Sequence, residues 1–378
     1  VLDCQRFHSA LANHGIRFYA GVPDSLLKDF CAYVTDHTDP ADNVITANEG
    51  SAVGLAAGYH LATGKIGCVY MQNSGFGNVV NPLTSLTDPQ VYGIPMLLIV
   101  GWRGEPGKKD EPQHVKIGRV QREIVSALEL DHEVLPDDPD GAEQAVARAV
   151  SAMREKSAPY ALLVRAGTFE KYKLRTQREV PYAMTREEAI GALADGLARA
   201  TPRAVFVCTT GMPSRELFEH RVKNGQDRSG DFLTVGSMGH ASQIALGIAT
   251  QRPELPVYCL DGDGAALMHL GGLSTIGSLA PKNYRHVILN NGAHDSVGGQ
   301  PTVGFDVDFL AIARACGYRD AIRVTSREEL DGAIGRFTAA EGPVLLEVRI
   351  KTGNRADLGR PTATPKESKE AFMRRLGG

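Results

Sequence analysis

Short apolar, β-branched runs alternate along the chain with longer stretches of helical period, the pattern that parallel sheets flanked by helices impose on a sequence. In the first half the predicted strands are IRFYA (16–20), NVIT (43–46), IGCVYM (66–71), PMLLIV (95–100) and YALLV (160–164). In the second half they are AVFVC (204–208), DFLTV (231–235), PVYCL (256–260), HVILN (286–290) and PVLLEV (343–348). The alternation breaks at 168–184, where FEKYKLRTQREVPYAM is charged and contains Pro181. It resumes at Thr185-Arg186-Glu187-Glu188, which has capping-box spacing. The expectation is an α/β protein of two parallel-sheet domains, 1–167 and 185–378, joined by a linker over 168–184. The charged, proline-containing tail from Thr352 is expected to be a surface arm ending in a short helix.

Composition narrows the partners. The 378 residues are 43% hydrophobic and 22% charged, with a formal net charge of -3, so no overall attraction to nucleic acid or anionic lipid exists and a basic site must be local. The six cysteines stand far apart without metal-type spacing, as reduced core thiols do. No apolar run approaches membrane-spanning length. These features predict a cytoplasmic protein acting on a small molecule, with no nucleic acid and no membrane as partner.

Candidate chemistry gathers where predicted strands end, the side of a parallel sheet on which ligands bind. After PVYCL comes Asp261-Gly262-Asp263-Gly264-Ala265, with a helix expected from near Ala265. Glycine-freed amides at a helix start attract phosphate oxygens, yet a carboxylate beside them repels phosphate unless a divalent cation lies between. That cation needs a second oxygen ligand. Asn291 follows the next predicted strand, so a strand–helix–strand crossover brings it beside Asp263, and the Ala293 carbonyl is a third candidate. One carboxylate, one amide and one carbonyl suit Mg2+, which completes its shell with phosphate and water. Read alone, Asp263 also fits an ordinary turn residue.

Three loops in the first half offer an anion site: GVPDS (21–25) after IRFYA, Gln72-Asn73-Ser74-Gly75 after IGCVYM, and GWRGEPGKKDEPQH after PMLLIV. Ser25, Asn73 and Ser74 are polar, while Arg103, Lys109 and His114 supply positive charge. An arginine suits a bidentate grip on a phosphonate or sulfonate. Lys108 fits an exposed solvated residue better, and His114 fits equally well as a cap or stacking group on the helix that follows.

The pair GDGA…NN resembles the diphosphate-anchoring motif of thiamine-diphosphate enzymes, and ITANEGSAVGLAAGYHLATGK (45–65) is similar to their pyrimidine-domain motif. The resemblance implies thiamine diphosphate and Mg2+ as cofactors. It implies Asp263, Asn291 and Ala293 as metal ligands, and Glu49 as the acid on N1′ of the aminopyrimidine, favouring the imino tautomer whose 4′-nitrogen takes the C2 proton. Glu49 alone would equally fit a first-turn acid satisfied by its helix dipole. Thr210, Gly211, Ser237, Gly262, Gly264 and Ala265 would line the cofactor, with Met238 beneath its bend or, as readily, filling core space.

GVPDSLLK, MQNSGFGN, GWRGEPG, KDEPQH and NNGAHDSVGGQPTVG further resemble the branch of these decarboxylases that acts on phosphonopyruvate and sulfopyruvate, over nearly the whole chain. Members of that branch lack a central domain. The resemblance implies decarboxylation of phosphonopyruvate in phosphonate biosynthesis, with sulfopyruvate as the alternative substrate, and a homodimer with active sites at the subunit interface. The paired histidines of pyruvate decarboxylases are absent after the GW strand, so proton delivery is reassigned: His294 and Asp295, with Gln300 nearby, are candidate proton donors or water-positioning groups, and His294 also fits a partner for a backbone carbonyl. A non-catalytic phosphate- or nucleotide-binding protein is the reading from another class.

Overall fold

The computed structural model describes residues 1–176 and 178–377. It divides into two compact units, Val1–Gln177 with Ser296–Pro301, and Arg178–Asp295 with Thr302–Gly378. The division falls inside the predicted linker. Within the first unit, residues 169–176 are tied down, because Asp29 accepts the backbone N–H of Tyr172 and Asp36 accepts those of Arg175 and Thr176. Among the described residues no helix is long and apolar enough to cross a membrane.

The first unit holds six strands, β1 (Tyr19–Gly21), β2 (Asn43–Ile45), β3 (Gly67–Gln72), β4 (Met96–Gly101), β5 (Asp131–Val134) and β6 (Tyr160–Val164). They form one parallel sheet in the order β2-β1-β3-β4-β6-β5. The second unit holds β7 (Val205–Cys208), β8 (Asp231–Leu233), β9 (Val257–Gly262), β10 (Tyr284–Asn290), β11 (Asp320–Val324) and β12 (Val344–Arg349). They too are all parallel, ordered β11-β12-β10-β9-β7-β8.

Both sheets are covered on each face, which is why their central strands read as unbroken apolar runs. Along β3 and β4 the period of two sorts side chains into separate cores: Cys68, Tyr70, Leu97 and Ile99 face one, Val69, Met71, Leu98 and Val100 the other. In the second unit, Tyr258 and Leu260 of β9 face one core and Val257 and Cys259 the other. Each fully buried Leu or Val contributes roughly 1.5–3 kcal/mol.

The ten predicted strands all form, with ends shifted by a few residues. Two more, β5 (DHEV) and β11 (DAIRV), go beyond the expectation. Both lie at sheet edges and are partly exposed, so they carry charge where a central strand would carry apolar residues. The helix expected over 265–280 is two helices, Asp263–Met268 and Gly272–Leu279, broken at 269–271. The capping box at Thr185 forms, as does a second at Thr364, which opens the terminal helix Pro365–Arg375.

The strand orders fix where ligands can bind. The direction in which successive strands are added reverses between β1 and β3 in the first unit and between β7 and β9 in the second, and at such switch points the loops diverge and leave a crevice. The strand-end segments bordering them are 22–25 and 72–75, then 209–211 and 262–264.

Leu260 is completely buried just before the second crevice. Leu260→Ala is expected to lower stability by about 2–5 kcal/mol, read as a fall in the denaturant midpoint without loss of folded-state circular dichroism.

Candidate active site

In the first unit the chain turns after β2, Asn48 caps the next helix by accepting the Ser51 N–H at 2.9 Å, and Glu49 becomes the first residue of helix Glu49–Thr63. Its side chain is only 4% exposed. The Asn78 amide donates to Oε2 at 2.7 Å. A Cβ on Gly75 would stand 2.0 Å from Oε1, so only glycine there lets the carboxylate lie across the loop after β3. A buried carboxylate held by one neutral amide remains able to accept a further hydrogen bond.

The anion loops converge on Arg103, but not as the sequence suggested. Its Nε donates to Asp110 Oδ2 at 2.9 Å, a second guanidinium nitrogen bonds Asp110 Oδ1, and Nη1 donates to Ser25 Oγ at 2.7 Å. The fork expected to grip substrate is therefore taken by Asp110. Against the desolvation of partial burial, Arg103 and the Gly104 and Glu111 amides hold the Asp110 carboxyl well below the usual carboxylate range. Asn73, fully buried, exchanges hydrogen bonds with the Arg103 backbone at 2.8 and 3.2 Å. Ser74 is exposed and bonded to Gln72. Burial, then the Arg103 charge, pull the His114 pKa down to about 4, so its imidazole is neutral near pH 7 and adds no positive charge. Lys108 and Lys109 are exposed. Gln300, completely buried, donates to the Lys28 carbonyl at 3.3 Å, and its Oε1 has no partner among the described residues.

One residue of this cluster lies inside the GVPDSLLK motif with no role assigned from sequence. Asp24 is completely buried at the end of β1 and accepts the N–H groups of Leu26 and Leu27 at 2.9 and 3.2 Å. Burial pushes its carboxyl up to about 6, against those amides and the Arg103 charge.

In the second unit, the two carboxylates of LDGDG diverge. Asp261 turns into the sheet, with Oδ2 3.6 Å from His286 Nε2. With Cys259 these atoms lie within 4.8 Å of one another, but burial holds the thiol well above its usual range, and a thiol and an imidazole are not the oxygen set that Mg2+ takes. Asp263 opens the next helix and is 2% exposed. The Thr302 hydroxyl bonds its Oδ2, and a Cβ on Gly304 would stand 2.5 Å from that oxygen, so Gly304 forms one wall of a cradle. Burial pushes the Asp263 carboxyl up to about 6; the Thr302 hydroxyl and the Asn291 backbone offset this, while Asp295 adds charge of the same sign.

Asn291 is buried beside it. Its amide nitrogen donates to Asp295 Oδ2 at 2.7 Å, and its Oδ1 accepts the Ala293 N–H at 3.1 Å. A buried carboxylate and a buried amide oxygen, those of Asp263 and Asn291, are donor types that fit a hard divalent cation. The hydroxyl of Thr209, buried at the crevice between β7 and β9, has no partner among the described residues and is the kind of donor a phosphate oxygen takes. The Thr210 hydroxyl accepts the Gly236 N–H at 2.9 Å, tying the loops after β7 and β8, and Gly211 adopts φ 91° before helix Met212–Lys223. Gly262 has open space where a Cβ would point, and Ala265 is buried. Because helix Asp263–Met268 has only six residues, its dipole adds less than the sequence implied.

His294 and Met238 converge on Gly264, where an added Cβ would lie 2.9 Å from the imidazole Cε1 and 3.4 Å from Met238 Cε. Ser237, before Met238, holds φ 49° and is exposed. Burial pulls the His294 pKa down to about 4, so the ring is neutral near pH 7. Asp295 accepts the Arg186 Nη1 at 2.8 Å, the Asn291 amide and the Gly353 N–H. A carboxylate accepting three N–H groups presents lone pairs rather than an O–H, contrary to the proton-donor role expected for it.

Asp24 carried a sequence signal, an acid after Val-Pro at a strand end. Asn78 and Thr302 lie inside the motifs MQNSGFGN and NNGAHDSVGGQPTVG, but nothing local shows which carboxylate each reaches, 29 and 39 residues away.

Residues 5–124 match the N-terminal TPP-binding domain of thiamine pyrophosphate enzymes, and residues 209–348 match the C-terminal one. A phosphonopyruvate decarboxylase of Streptomyces viridochromogenes is 39% identical over 377 residues, covering 96% of this chain and 92% of its own. A sulfopyruvate decarboxylase of Methanosarcina acetivorans is 28% identical over 386 residues, covering 96% and 94%. Two separate chains of Methanococcus maripaludis each match less than half of this one: sulfopyruvate decarboxylase subunit beta is 34% identical over 169 residues (45% of this chain, 87% of its own), and subunit alpha 29% over 166 residues (44% and 96%). With likeness along the full length and both cofactor-binding domains present, the chain belongs to the phosphonopyruvate decarboxylase family of thiamine-diphosphate-dependent lyases.

Proposed function

We propose that the chain decarboxylates 3-phosphonopyruvate to phosphonoacetaldehyde and carbon dioxide, in the service of phosphonate biosynthesis, with thiamine diphosphate held through Mg2+. The observation that carries the substrate assignment is the 39% identity to phosphonopyruvate decarboxylases over 96% of the chain, against 28% for the full-length sulfopyruvate relative. In the reaction the C1–C2 bond breaks, carbon dioxide leaves, and a proton takes its place on the carbonyl carbon.

Thiamine diphosphate, when bound, supplies a carbon nucleophile for the keto group and a cationic ring that accepts the electrons left behind by carbon dioxide. The protein's part is proton placement, orientation and charge. Glu49, fixed by Asn78, holds the proton at pyrimidine N1′. Asp263, Asn291 and the Ala293 carbonyl hold Mg2+, and the Thr209 hydroxyl and the loops Thr210-Gly211 and Ser237-Met238 receive the cofactor. Ser25 and Asn73 bind the substrate, while Arg103, restrained by Asp110, lends positive potential in place of a bidentate grip.

Asp24, pushed up to about 6, exchanges protons near neutral pH and is assigned the proton chemistry; His294, held neutral, adds hydrogen bonding rather than charge. Homodimerisation, with Glu49 of one subunit serving the cofactor held by the other, is supported by the separate alpha and beta chains, each matching part of this one. A sulfopyruvate decarboxylase is the second reading, favoured by those same relatives.

Assays with both 2-oxo acids, coupled to aldehyde detection, are expected to give kcat/KM for phosphonopyruvate at least about tenfold above that for sulfopyruvate; the reverse order assigns the sulfonate. Glu49→Gln is expected to bind thiamine diphosphate within a few-fold of the native protein and to slow C2 proton exchange by at least about 100-fold, measured by deuterium exchange and NMR.

Asp24 also sets a pH dependence of stability. Its folded pKa lies above the unfolded value, so the folded state binds the extra proton, and stability from this group is full below about pH 4 and falls as pH rises to about 6, by up to roughly 3 kcal/mol. Asp24→Asn is expected to flatten that decline in denaturant titrations between about pH 4 and 7. An unchanged slope assigns the decline to other carboxylates.

A further inference from the structure

An asparagine amide is nearly symmetric in shape but not in chemistry: only its oxygen binds a cation, and its nitrogen repels one. A metal site that uses Asn291 must therefore set which end of the amide faces the ion. The side-chain nitrogen of Asn291 donates to Asp295 Oδ2 at 2.7 Å. That oxygen also accepts the Arg186 Nη1 at 2.8 Å, and the Gly353 N–H reaches both Asp295 oxygens at 3.0 and 3.1 Å. Arg186 is 5% exposed and is anchored by Glu216, 2% exposed, through Nε at 2.8 Å and Nη2 at 3.0 Å.

We infer that Asp295 is a positioning residue, the middle of a relay Glu216–Arg186–Asp295–Asn291 that fixes the amide of Asn291 with its oxygen toward the divalent cation. The inference rests on the Mg2+–thiamine diphosphate reading above. The relay and its Gly353 contact draw on four parts of the second unit. Arg186 and Glu216 come from helices Arg186–Ala200 and Met212–Lys223, Asp295 from the segment after β10, and Gly353 from the chain after β12. Only an acceptor can occupy the Asp295 position if the Asn291 nitrogen is to be satisfied there. A carboxylate accepts on both oxygens and has no N–H of its own, so it offers no hydrogen bond to the reversed amide. The Arg186 guanidinium supplies the countercharge that lets the carboxylate be buried, and the two contacts of Arg186 with Glu216 hold the guanidinium in place. Partners that orient a metal ligand in this way contribute about 10–100-fold to metal affinity.

The test uses Mn2+ as the probe, titrated in the presence of thiamine diphosphate and followed by the electron paramagnetic resonance signal of the free ion. Asp295→Asn, whose amide can satisfy either orientation of Asn291, is expected to weaken Mn2+ binding by about tenfold or more, and kcat is expected to return towards the native value at saturating metal and cofactor. Arg186→Lys keeps the charge but loses the fork and is expected to fall between the two; it carries the test if Asp295→Asn does not fold. Binding of Mn2+ by both variants within about twofold of native, even with a lowered melting temperature, overturns the relay. So does a kcat that stays lost at saturating metal, which would put Asp295 in the proton chemistry. Failure of the native protein itself to bind Mn2+ with thiamine diphosphate overturns the metal reading, and the relay with it.

Discussion

The carboxylate of Asp263 is buried against the Thr302 hydroxyl, and the charge acting on it, Asp295, has the same sign. Burying a charge without a counterion costs far more than one lost hydrogen bond, so the fold either protonates this group or brings a cation to it. The surrounding chain leaves room beside the carboxylate: Gly304 keeps a side chain off it, Thr302 holds one oxygen, and Asn291 is buried as well. On the proposed reading, a cation there would in turn neutralise a diphosphate, which the LDGDG turn alone would repel. The proposed Arg186 relay would serve this requirement.

The first unit solves a different problem. Glu49 is also buried, but it is held by an amide donor, Asn78, and by the absence of a side chain at Gly75. That surrounding leaves the carboxylate able to accept a further hydrogen bond. Arg103 shows how local charge differs from charge available to a ligand. Sequence placed it at a strand end as a free cation, and Asp110, seven residues on, takes its fork. The loop keeps its arginine in one geometry and gives up part of the expected electrostatic pull.

Much of the fold was legible because central parallel strands must be apolar on both faces, and IGCVYM, PMLLIV and HVILN could be little else. The edge strands β5 and β11 escaped because exposure on one side removes that signal. The long helix expected after LDGDG divides at the pair Gly271-Gly272, whose cost in a helix interior the apolar period concealed. In the site, Glu49, Asp263 and Asn291 could be singled out because each sits in a short motif beside a strand end, and all three are buried. Burial was not readable, and burial is what makes His114 and His294 neutral and raises Asp24. The partners that decide each carboxylate's role, Asn78 for Glu49 and Arg186 for Asp295, arrive from elsewhere in the chain and leave no local trace.

The central claim is that the Asp263 carboxylate anchors the cofactor through a cation. Isothermal titration of thiamine diphosphate into native protein and Asp263→Asn, with and without Mg2+, tests it most directly. The account predicts tight binding only for native protein with Mg2+, with affinity lower by about 100-fold or more when either the ion or the carboxylate is removed. Equal affinity in all four titrations would contradict it.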